Sequence, residues 1–155
     1  MSKPKIYIDG KEGTTGLQIY ERLGERDDIE LLLIDEEKRK DVEERRRLLN
    51  AADLVFLCLP DAAAREAASL VTNGDTRIVD CSTAHRTAEG WAYGFPELHG
   101  QREKVKTAKR VANPGCYATG FLSLVRPLVE MGALDPEAYV TCHALSGYTG
   151  AGKKA

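Results

Sequence analysis

The sequence has 155 residues, 43% hydrophobic and 30% charged, with a formal net charge of −2. That length and balance describe a domain with its own core and an ordinary water-facing surface. The charge gives no electrostatic case for nucleic acid or an anionic membrane, no apolar run approaches the roughly 18 residues of a membrane span, and four cysteines without a C-x-x-C pair argue against zinc and against a disulfide framework.

Met1-Ser2-Lys3-Pro4-Lys5 leads straight into a strand-like run without a signal-peptide pattern, so a reducing cytoplasm is the expected compartment. Ile6-Tyr7-Ile8 reads as a buried strand. The turn Asp9-Gly10-Lys11-Glu12-Gly13-Thr14-Thr15-Gly16 follows, then a helical segment Leu17–Leu23 with Gly24 just past its end. Strand, glycine-rich turn and helix make a phosphate cradle, because glycines admit close backbone approach and a helix start supplies N–H donors. The spacing is G-x-x-G-x-x-G, not the G-x-G-x-x-G of most dinucleotide folds.

A second strand, Ile29–Ile34, ends at Asp35. An acidic residue there reads as a ribose 2′-hydroxyl partner and implies NAD. The basic run Lys38-Arg39-Lys40 that follows suits a 2′-phosphate and implies NADP. The spacing leaves both open. Asp41–Ala52 reads as a short surface helix, and Asp53–Leu59 as a strand covered on both faces. Asp61 is placed to cap an alanine-rich helix running to Val71. Asn73-Gly74-Asp75 is a turn, and Arg77–Cys81 another strand. Strands alternating with helices predict an α/β, Rossmann-like, doubly wound parallel sheet whose ligands bind beyond the carboxyl ends of the strands.

In Val111–Gly120 a Pro-Gly turn delivers Cys116 to the start of an apolar-periodic segment, with Tyr117, Phe121, Leu124, Val125 and Leu128 on one helical face. A thiol at a helix N-terminus has its thiolate, the nucleophilic form, favoured by the backbone dipole. Tyr139–Leu145 reads as a further strand.

Five segments now stand in one order: the Gly10–Gly16 loop, Asp80–Arg86, Tyr93–Leu98, Asn113–Thr119 and Ser146–Lys154. Together they resemble the shorter type of the N-acetyl-γ-glutamyl-phosphate reductase family across essentially the whole chain. The resemblance implies NADPH-dependent reduction of an acyl phosphate, N-acetylglutamyl 5-phosphate, to its semialdehyde through a cysteine thioester, in arginine biosynthesis. It implies Cys116 as the nucleophile. Gly10, Gly13, Thr14, Thr15, Gly16, Ser82, Ser146 and Gly147 are implied in cofactor binding, and Arg86, Glu97 and Asn113 in substrate binding. It implies a small-molecule substrate, no nucleic-acid or membrane partner, and a homo-oligomer for the full-length enzyme.

The family's catalytic histidine and several substrate-holding arginines lie downstream of the Ser146–Lys154 loop. None of His85, His99 and His143 stands at that histidine's position; His85 borders the Ser82–Arg86 loop. The expectation is therefore an N-terminal portion of a longer enzyme. Residues 1–115 would be the nucleotide domain and 116–155 the beginning of an α+β catalytic and dimerisation domain. The alternatives are an NADP-binding fragment without turnover and the related aminoadipyl-phosphate reductase of lysine biosynthesis.

Overall fold

A computed structural model describes residues 2–11 and 13–147. The alternation of strand and helix expected from the sequence is present: β1 (Lys5–Asp9), α1 (Thr14–Gly24), β2 (Glu30–Leu32), a 3-10 turn (Glu36–Lys38), α2 (Val42–Ala51), β3 (Leu54–Leu57), α3 (Asp61–Leu70), β4 (Arg77–Asp80), β5 (Ala92–Tyr93), α4 (Gln101–Thr107), β6 (Arg110–Ala112) and α5 (Cys116–Glu130). The described strands form one six-stranded sheet in the order β2-β1-β3-β4-β6-β5. Every pairing in it is parallel. The chain leaves β1 for β2 on one side and crosses back to β3 on the other. This reversal opens a crevice at the carboxyl ends of β1 and β3, where such sheets bind ligands.

The core lies between one sheet face and the helices α2 and α3. Tyr7, Val55, Leu57 and Ile78 point into it and meet Leu48 and Leu49 of α2 and Ala64, Ala67 and Leu70 of α3. The alanines let α3 lie close to the strands. α2 is thus not the surface helix expected: it buries Leu48, Leu49 and, one turn earlier on the same face, Arg45. Asp41 caps it, accepting the N–H groups of Glu43 and Glu44. Asn50 then ties α2 to the end of α3, donating to the Leu70 carbonyl and accepting from the backbone of Thr72 and Asn73.

The opposite sheet face is less covered. β3 and β4 alternate between half-buried and fully buried residues, with Phe56 and Val79 on the half-covered side. This corrects the expectation of a β3 covered on both faces. α1 packs on β1 but exposes Leu17, so it shields only part of the sheet. Two helix ends also differ. α1 includes Gly24 and closes at Glu25 in right-handed conformation, so no left-handed glycine ends it. Pro60, not Asp61, precedes α3; Asp61 is its first residue, and its carboxylate turns to Thr83 instead.

α5 forms where the periodicity predicts, yet it buries none of its residues among those described. Leu124 is 73% exposed. Beyond α5 the expected strand at Tyr139–Leu145 is absent: the segment pairs with nothing described, and Leu145 is fully exposed. A single extended segment has no ladder to join unless a second strand lies beside it. Among the described residues no helix is long and apolar enough to cross a membrane.

Candidate active site

The glycine loop is built by close backbone contact. Gly10 has φ +88°, and a Cβ there would fall 2.4 Å from the Cys58 carbonyl oxygen at the end of β3. A Cβ on Gly16 would fall 2.3 Å from the Gly10 carbonyl oxygen. The Gly13 N–H donates to that same carbonyl at 3.1 Å and closes the turn. α1 then starts at Thr14 and Thr15 with no side-chain cap, so its first N–H groups have no side-chain acceptor. The loop residues expected as a cradle are therefore together at one helix start.

Beside the loop a cleft of about 440 Å³ runs between the ends of β1 and β2 and the starts of α2 and α3. Arg39 and Lys40 line it, whereas Asp35 is exposed and outside the lining. Its inner wall holds three residues the sequence reading missed. Arg45 donates to Asp9 through Nη2 at 2.9 Å and Nε at 3.3 Å, and both residues are more than nine-tenths buried. Burial opposes the Arg45 charge, but the Asp9 hydrogen bond and charge outweigh it and raise its pKa. The Tyr7 hydroxyl beside them is buried without a hydrogen-bond partner, and burial, then the Asp9 charge, push its pKa up. Helical spacing was the available signal: Arg45 lies on the same face as Leu48 and Leu49.

The loop after β4 is organised by Asp80, which is completely buried. It accepts the Ser82 N–H at 2.9 Å, the Ser82 hydroxyl at 2.7 Å and His85 Nδ1 at 2.6 Å. The Ser82 hydroxyl in turn accepts the Ala84 N–H. Both roles of Ser82 are thus filled inside the loop. His85 is buried and stacks on Trp91 at 3.9 Å between ring centroids, which makes it a satisfied core histidine. Thr83 donates through N and Oγ1 to Asp61, and these bonds hold the Asp61 carboxyl below the usual carboxylate range.

At the end of β6 the chain turns through Asn113-Pro114-Gly115 into α5, and Cys116 is its exposed first residue. No side chain caps this start. Arg86 reaches across from the β4 loop: its Nε donates to the Asn113 carbonyl at 3.1 Å. Its Nη1 lies 2.7 Å from where a Gly115 Cβ would stand. Arg86, Asn113 and Cys116 are therefore brought together. Glu97 is not among them. It borders a separate groove with Leu122, Ser123 and Arg126 farther along α5, and its carboxylate makes only a loose 4.0 Å pair with Arg102. Ser146 and Gly147 lie exposed, with the Ser146 hydroxyl donating to the Gly147 carbonyl, and none of the described residues approaches within 4 Å of a Gly147 Cβ. The rest of that loop, with Lys153 and Lys154, lies outside the described residues.

The family model described as "Semialdehyde dehydrogenase, NAD binding domain" matches residues 5–108. The chain belongs to the semialdehyde dehydrogenase family. A second model, that family's dimerisation domain, matches residues 116–155. Curated relatives include "N-acetyl-gamma-glutamyl-phosphate reductase 2" of Nostoc sp., 61% identical over 99% of this chain and 48% of its own length. The reductase of Trichormus variabilis is 62% identical over the same shares. The chain spans about half the length of the curated relatives it matches. Among solved structures, aspartate semialdehyde dehydrogenase II of Vibrio cholerae superposes with a TM-score of 0.62 at 15% identity, over 84% of this chain and 43% of that one. The enzyme of Francisella tularensis gives 0.62 at 14% identity, over 83% and 41%. At such identities the likeness is one of fold.

The crevice of this semialdehyde dehydrogenase domain has the features a dinucleotide needs. At Gly10 and Gly16 the loop leaves no room for a side chain between helix start and strand end. The buried, unpartnered Tyr7 hydroxyl on the cleft wall is a polar group without a protein partner.

Proposed function

We propose that the chain is the nucleotide-binding and nucleophile-bearing part of an NADP-dependent N-acetyl-γ-glutamyl-phosphate reductase. The observation that carries this reading is the 61% identity to a reductase of that name, sustained over 154 residues. Residues 1–115 would then hold the nucleotide, and residues from 116 would open the substrate side, in line with the dimerisation-domain match and a homo-oligomeric enzyme.

In this reading Gly10, Thr14, Thr15 and Gly16 receive the pyrophosphate on their backbone N–H groups, and Gly13, whose own N–H closes the turn on the Gly10 carbonyl, shapes the loop for it. Arg39 and Lys40, lining the cleft where Asp35 does not, favour a 2′-phosphate and hence NADP. Cys116 Sγ is the nucleophile. It stands at the open start of α5, with the Arg86 guanidinium beside Gly115. The thiolate attacks the acyl carbon, the bond to phosphate breaks, and a thioester on Cys116 remains. Arg86, anchored on the Asn113 carbonyl, is placed to hold the phosphate or carboxylate of the substrate. When bound, the reduced nicotinamide supplies the hydride that converts the acyl group to an aldehyde.

A second reading is nucleotide binding without turnover by this chain alone. His85 favours it, because the histidine of the β4 loop is buried and stacked on Trp91, whereas Cys116 is exposed. One assay separates the two: N-acetylglutamate 5-semialdehyde, NADP and arsenate in place of phosphate, followed by nicotinamide absorbance. Turnover that disappears in Cys116→Ser supports the reductase. Binding of NADP with no turnover supports the second reading. Failure to bind NADP at all sinks both.

A further inference from the structure

Two thiols take no part in the chemistry above. Cys58 follows β3 and Cys81 follows β4, each one residue past the register pair Leu57↔Asp80. The Cys81 N–H donates to the Leu57 carbonyl at 2.9 Å, so the two strands remain joined up to the pair. Strand alternation places both thiols on the half-covered face with Phe56 and Val79, and both are partly exposed. Opposed residues on neighbouring strands stand about 4.7–4.9 Å apart. That lies within the roughly 4.4–6.8 Å Cα window of a disulfide, on its short and more reducible side. Each thiol also acts on the other's ionisation, lowering Cys81 below the usual thiol range and raising Cys58 above it. The Cys58 carbonyl is also the wall against which Gly10 packs.

The geometry points to a reversible dithiol–disulfide site, Cys58 with Cys81, where β3 and β4 end beside the glycine loop. The oxidant class is a small-molecule disulfide. Cys81, as thiolate, attacks one sulfur of the oxidant; the oxidant S–S bond breaks, one thiolate leaves, and Cys81 carries a mixed disulfide. Cys58 gives its proton to solvent and attacks the Cys81 sulfur, forming the protein S–S bond and releasing the second thiolate. Two protein thiols are oxidised and one disulfide is reduced to two thiols; a dithiol reductant reverses the exchange. A coupling follows that rests on the nucleotide reading. A nucleotide seated on the glycine loop would stand against the Gly10 turn that packs on the Cys58 carbonyl and slow access of the oxidant to the pair.

The test is peptide mapping of the full chain after oxidised glutathione, with free thiols blocked by iodoacetamide and trypsin used without reduction. The expected product joins residues 48–65 to residues 78–86, two hydrogens lighter than the two thiol peptides, and separates on reduction with dithiothreitol. Cys58→Ser should stop at a glutathione adduct on Cys81. The site is overturned if peptides 48–65 and 78–86 stay unlinked while the peptide with Cys116 is oxidised. NADP at about ten times its Kd should slow the cross-link about tenfold. Binding of NADP, read by fluorescence, with no slowing overturns the coupling. Cross-linking in a protein that binds no NADP overturns the nucleotide reading and upholds the thiol site.

Discussion

Residues 5–115 and residues 116–147 carry similar apolar patterns and arrive at opposite outcomes. α3 buries Ala64, Ala67 and Leu70 against the sheet, whereas the longer and more apolar α5 leaves Tyr117, Leu124 and Leu128 facing outward. Helical periodicity is a local property; burial requires a surface opposite. β1, β3 and β4 supply that surface to α2 and α3, and the described residues give α5 only the partial cover of Phe95 and Leu98 across a groove. The same contrast holds for charge. Asp9–Arg45 is enclosed in the core, and Arg126–Glu130 lies on an exposed helix.

This contrast can be broken by paired substitutions. The largest effect is expected at Arg45→Met, which leaves Asp9 buried without its partner; stability should fall by about 3–5 kcal/mol in urea unfolding. Arg126→Met on α5 should change it by about 0.5 kcal/mol or less. Leu57→Ala, at a fully buried position, should cost about 2–5 kcal/mol, and Leu124→Ala about 0.5 kcal/mol at most. Equal costs in that pair would mean that α5 is covered in solution.

Glycines should respond with opposite signs. Gly10→Ala meets both the positive φ and the Cys58 carbonyl, and the backbone conformation alone should cost about 1–3 kcal/mol. Gly120→Ala has open space within α5 and should raise stability by about 0.5–1 kcal/mol; both are read by thermal or urea unfolding. The smallest effect belongs to Asp61. Its folded pKa is depressed by the Thr83 bonds, so its contribution is present above the unfolded value of about 3.9 and is lost as pH falls through the folded one. Thr83→Val should remove about 0.5 kcal/mol at neutral pH, with the difference from the parent shrinking in acid, because the group is exposed and screened.

The first 80 residues were legible because their signals are local. The run Ile6–Ile8, the glycine turn and the alanine-rich helix each declare themselves within about ten residues. β5, α4 and β6 passed unread. β5 is two residues long, α4 carries Val105 as its one large apolar side chain, and β6 is three residues long; each exists because a neighbour is there to pair with. Cys116 was legible as the start of a helix. The company of Arg86 came from the family resemblance alone, since a reach of 27 positions from Arg86 to Asn113 has no periodic signature. Ser82 and Glu97 were singled out by motif, and the structure gives Ser82 an internal partner and Glu97 a different groove.

The order β4-β6-β5 has a temporal consequence. As the polypeptide emerges during synthesis, β5 is made first and finds no described strand to hold, because its one ladder is with β6. Completion of this sheet margin must await residues 110–112, which slide between two segments already present. A pause in translation before that point should yield a nascent chain with β1, β3 and β4 protected from protease and residues 92–93 still open to it.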